Sequence, residues 1–117
     1  MNSINVLTHS AIFTTKDSSF KINQKRMLDA IINSKGTWGA CYSEEFGVTL
    51  VNLINKTLTP IPIPANTRFY AFNPHVEKIT PFGFTLVLAH PDKNELFWQH
   101  KISPDSFTLD KEFTQWH

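Results

Sequence analysis

Ser43-Glu44-Glu45-Phe46-Gly47-Val48-Thr49-Leu50-Val51-Asn52-Leu53-Ile54-Asn55-Lys56-Thr57-Leu58 reads in two ways, and the choice between them sets the fold class. Val48, Thr49 and Val51 are β-branched and favour a strand, whereas Phe46, Leu50, Leu53, Ile54 and Leu58 share one face of a helix. The end signals favour the helix. Ser43 is placed to accept from a first-turn amide, Glu44 and Glu45 complement the positive helix start, Lys56 complements the negative end, and Pro60 stops the chain from continuing. A helix over 43–58 is therefore predicted, with Gly47 costing it up to about 1 kcal/mol.

Working outward, residues 20–34 predict a second helix. Met27, Leu28, Ile31 and Ile32 fall at i, i+1, i+4 and i+5, Lys25, Arg26 and Asp29 turn outward, Ser19 or Asn23 caps the start, and Gly36 follows the end. Residues 4–15 are rich in β-branched residues and roughly alternate, which predicts a strand. Pro60-Ile61-Pro62-Ile63-Pro64 lacks amide donors at alternate positions, so it is read as a stiff extended connector or a sheet edge. The last third is β in pattern. Arg68 to Phe72 reads as a strand, Thr80-Pro81-Phe82-Gly83 as a turn, and residues 84–90 and 95–102 as the arms of a hairpin around His90-Pro91-Asp92-Lys93-Asn94. Leu109, Phe113 and Trp116 recur at helical spacing behind Thr108 and predict a short C-terminal helix. The expected fold is α+β: one domain over 1–117, a mostly antiparallel sheet of four or five strands with two helices on one face.

Composition narrows the function classes. The 117 residues are 41% hydrophobic, enough to form a core, and eleven Lys and Arg against ten Asp and Glu give a net charge of +1. That balance does not suggest a nucleic-acid or anionic-membrane partner. The first 42 residues carry Lys16, Lys21, Lys25, Arg26 and Lys35 against Asp17 and Asp29, read as a solvated helix face. One cysteine permits no internal disulfide, and no stretch reads as a signal peptide or a membrane span, so a cytoplasmic location is expected. The spacing of the five histidines offers no metal site, the four glycines form no phosphate-cradling loop, and no cofactor is expected.

One motif carries chemistry. Gly39-Ala40-Cys41-Tyr42 resembles the surroundings of the nucleophile in papain-like cysteine peptidases, with a predicted helix starting directly after it. A cysteine at a helix start is held as thiolate by the end-on amides, and small residues before it let a substrate carbonyl approach. The resemblance implies Cys41 as nucleophile, with His90 or His75 as base and Asp92 or Asn94 to orient the imidazole. It covers a short segment and departs from the family pattern. Lys35 stands where that family has its oxyanion-hole glutamine, Trp38 where it has a cysteine, and the chain ends at His117, short of the roughly 130–150 residues that separate the family's cysteine from its histidine and asparagine.

Ten Phe, three Trp and two Tyr are more aromatic side chains than one small core needs. Phe97, Tyr70 and Trp38 are the candidates for exposed anchors. The sequence thus predicts a binding module that masks the surface of another protein, or that pairs with a second copy of itself, with a small cysteine-histidine hydrolase or deamidase as the alternative.

Overall fold

The computed structural model describes residues 2–74, 82–91, 97–110 and 114–115. Among them are eleven strands and no helix, so the α+β expectation is corrected to an all-β fold. In chain order the strands are β1 (Ser3–Leu7), β2 (Ser10–Thr14), β3 (Ser19–Asn23), β4 (Met27–Ile32), β5 (Trp38–Ser43), β6 (Gly47–Asn52), β7 (Thr57–Ile61), β8 (Arg68–Pro74), β9 (Phe84–Ala89), β10 (Phe97–His100) and β11 (Thr114–Gln115). They form two compact units, Met1–Ile61 and Pro62–His117, and the division falls within the proline-alternating run.

In the first unit β1, β2 and β3 make one antiparallel sheet and β4, β5, β6 and β7 another, each in sequence order. Ala11, Phe13, Ile22, Met27, Cys41, Val51 and Leu53 form the core, with Ile4, Phe20, Ala30 and Ile32 packed against it. Because these come from both sheets, the unit is a small sandwich whose inner faces interdigitate.

Each predicted helix has dissolved into strands for a local reason. Residues 20–34 become β3 and β4. In β4, Met27 pairs with Ser43 and Asp29 with Tyr42, so Leu28 is the extra residue of a bulge. Alternation broken by one inserted residue puts Met27, Ala30 and Ile32 on the core side, and the three-residue step across the bulge copies helical spacing. Leu28 is left 58% exposed.

In β6, Val48, Thr49, Leu50 and Val51 are consecutive and all buried, so both faces of the strand are covered and the two-residue rhythm vanishes. The apparent cap signals are turn chemistry. Ser43 Oγ accepts from the Phe46 amide at 3.1 Å, closing the β5–β6 turn with Gly47 at φ +71. Asn52 Oδ1 accepts from the Ile54 and Asn55 amides at 3.0 Å each, and Lys56 takes φ +56 to complete the β6–β7 turn. Glu45 accepts from the Lys25 amide at 2.7 Å instead of facing a helix start. Pro60 lies in β7, an edge strand, where its missing amide leaves the ladder with β6 intact.

The second unit holds an antiparallel sheet in the order β11-β10-β9-β8. The expected hairpin is present as β9 paired with β10, although residues 92–96 lie outside the described part. Phe84, Leu86 and Leu88 on one face of β9 and Thr85 and Val87 on the other are all buried. The predicted C-terminal helix is corrected where the chain is described: Leu109 bridges to Ile102, and Thr114 and Gln115 pair with Gln99 and Trp98. Phe113 and Trp116 lie outside the described residues.

Candidate functional site

Cys41 sits in the middle of β5 with no exposed surface, and no helix follows it. Its neighbour Gly39 is small because Phe13 of the facing sheet needs the space: a Cβ there would lie 2.7 Å from the Phe13 ring and 2.8 Å from the Ile31 carbonyl oxygen. The small residues before the cysteine therefore admit a phenyl ring of the same unit, where the motif reading expected an approaching substrate carbonyl.

Around the thiol is a buried polar cluster that sequence reasoning missed. Ser43 Oγ donates to Gln24 Oε1 at 2.7 Å, Gln24 Nε2 donates to Thr49 Oγ1 at 3.3 Å, and the Cys41 thiol points at Gln24 Oε1 from 3.9 Å. Burial pushes the Cys41 pKa from 9.0 up to about 12, and the hydrogen bond with Thr49 only partly offsets it. The thiol stays protonated at neutral pH, the reverse of what a nucleophile requires.

His90 belongs to the second unit, and His75, Asp92 and Asn94 lie outside the described residues. The partner of His90 is His100. Their Nε2 atoms are 2.9 Å apart with rings stacked at 14°, and His100 Nδ1 is 3.2 Å from the Asp110 carbonyl oxygen. Both imidazoles are buried on the face that carries Leu86 and Leu88. The signal was available in the sequence: residues 90 and 100 share the parity of Leu88 and Trp98 across the hairpin. Among the described residues no group of three or more His, Cys, Asp or Glu is placed to hold a metal ion.

The aromatic candidates divide between the units. Trp38 is half-buried at the start of β5, in the first unit. Tyr70 and Phe97 are brought together in the second, with ring centroids 4.5 Å apart. A bulge puts them there. Phe69 pairs with Leu88 and Ala71 with Val87, so Tyr70 is the inserted residue of β8 and is 51% exposed, while Phe97 is half-buried. Beside this pair a polar row crosses three adjacent strands of the same face: Asn73 Nδ2 and Thr85 Oγ1 both donate to Gln99 Oε1, at 2.7 and 2.8 Å. Thr85 and Gln99 are buried, so these bonds fix the strands beneath the aromatic pair.

No helix among the described residues is long and apolar enough to cross a membrane. Comparison with known protein families, with curated proteins and with solved structures gives no match to this chain.

Proposed function

We propose that the protein is a cytoplasmic binding module that acts by covering the surface of a partner protein, anchored by Tyr70 and Phe97. The observation that carries this reading is the β8 bulge, which turns a large aromatic side chain outward against a second one on a hydrogen-bonded sheet. A bulge re-aims a side chain at the cost of a ladder position, and rigid aromatic rings lose little entropy when a partner closes over them. The buried, protonated Cys41 gives no support to the hydrolase alternative.

The test is a comparison of complexes purified through the tagged full chain from its native host. Tyr70→Ala and Phe97→Ala should each weaken a defined complex by about 2 kcal/mol, roughly 30-fold, while Leu28→Ala on the first unit leaves it intact. If no complex forms, or if the aromatic variants retain it fully, the reading fails. Sedimentation over a concentration series separates the remaining outcome: a dimer that both aromatic variants dissociate would make the partner a second copy of this chain.

A further inference from the structure

Three turns of the first unit meet around one cavity. Residues 15–18 between β2 and β3, Lys35 and Gly36 between β4 and β5, and Leu53, Ile54 and Lys56 between β6 and β7 line an open concavity of about 400 Å³, with Asn2 beside them. Each turn contributes a lysine: Lys16, Lys35 and Lys56. Asp17 is the one carboxylate in the lining, so this cavity has a local charge of +2 in a chain whose net charge is +1.

We infer that this cavity is a binding site for a phosphate-bearing small molecule. Lysine side chains gathered at one concavity repel each other, and an anion bound there would relieve that repulsion. Lys56 is held in place, with its Nζ 5.9 Å from the centre of the Phe20 ring. Among the described residues no ion pair joins Lys16 or Lys56 to a carboxylate; the recorded pair is Arg26 with Glu44 at 3.2 Å, away from this cavity. The frame is tied down as well. Asn2 Nδ2 donates to the Ser34 carbonyl at 2.8 Å, and Gly36 keeps φ +70 where an added Cβ would strike the Asn2 side chain at 2.7 Å.

The type of cation selects the anion. Lysines act as point charges and arrive here from three separate turns, which matches a tetrahedral group with charge on several oxygens. A planar carboxylate is better served by the fork of an arginine, and none lines the cavity. The volume leaves room for a small organic group beside the phosphate. This site is independent of the aromatic surface of the second unit.

The experiment titrates inorganic phosphate and pyrophosphate into the full ¹⁵N-labelled chain at constant ionic strength. Saturable shifts of the Ser18, Gly36 and Lys56 amides are expected, with pyrophosphate the tighter ligand. Lys16→Gln and Lys56→Gln should each weaken binding about tenfold, as loss of a charged hydrogen bond does, and Lys16→Gln should do so without lowering the melting temperature of the free protein. Lys21→Gln together with Lys25→Gln, outside the cavity, should leave affinity unchanged. The inference is overturned if the shifts do not saturate, if chloride reproduces them, or if the outlying variants weaken binding as much as the cavity ones. A response to a polymeric phosphodiester with none to phosphate or pyrophosphate would also overturn it.

Discussion

His90 Nε2 and His100 Nε2 meet at 2.9 Å inside the second unit, and the Asp110 carbonyl 3.2 Å from His100 Nδ1 orders the protons between them. A carbonyl only accepts, so neutral His100 carries its hydrogen on Nδ1 and presents a lone pair at Nε2, which His90 Nε2–H fills. The pair joins the start of the segment after β9 to the end of β10, and through Asp110 to the turn after it.

Long-range ¹⁵N–¹H spectra at neutral pH should therefore show His100 as the Nδ1–H tautomer and His90 as the Nε2–H tautomer. The opposite assignment would mean that the Asp110 contact is not a hydrogen bond. His100→Ala strands the His90 donor in a buried site and should cost about 1–3 kcal/mol in urea unfolding.

The Cys41 thiol should resist alkylation in the folded protein from pH 6 to 9 and react at an ordinary rate in denaturant. Its pKa is 9.0 in the ordinary case and about 12 when folded, so the folded state holds the proton more tightly. Stability linked to this group is fully present below about pH 9 and is lost as pH rises toward 12. Cys41→Ala should remove that alkaline decline. Rapid labelling of the folded wild type at pH 6 would return Cys41 to the list of nucleophiles.

Gly39→Ala should destabilise the first unit by about 2–3 kcal/mol, because the new methyl meets both the buried Phe13 ring and a backbone carbonyl. Gly47→Ala has no atom within 4 Å to strike and pays only for φ +71, about 1 kcal/mol. Phe13→Leu in the Gly39→Ala background should recover part of the loss, a coupling of about 1 kcal/mol in a double-mutant cycle. Equal costs at the two glycines would refute the packing account of the Gly39-Ala40-Cys41 motif.

The β9–β10 hairpin was legible because two apolar runs flank the turn residues His90 to Asn94 and no helix-end signals compete, and the strand at Arg68 was legible, despite its bulge, because aromatic residues favour strands. The two missed hairpin regions were not, since a bulge at Leu28 and two-sided burial of Val48 to Val51 each produce a pattern that one-dimensional periodicity assigns to a helix. The candidate site followed the same division. Parity alone placed Phe97 and Trp98 on opposite faces, but the bulge that turns Tyr70 toward Phe97 is a register event between strands.

By itself the sequence determined that the chain has enough apolar residues to fold, that Pro60 to Pro64 is extended, and that charge is nearly balanced overall. Composition and local chemistry decide these: apolar content sets whether a core can form, and proline lacks an amide and fixes φ. Only the tertiary structure decided whether Ser43 capped a helix or a hairpin turn, whether Cys41 met solvent or Phe13 and Gln24, and that three separated lysines share one cavity. Those outcomes depend on which strands pair and which faces are covered, and both are contacts between residues far apart in the chain.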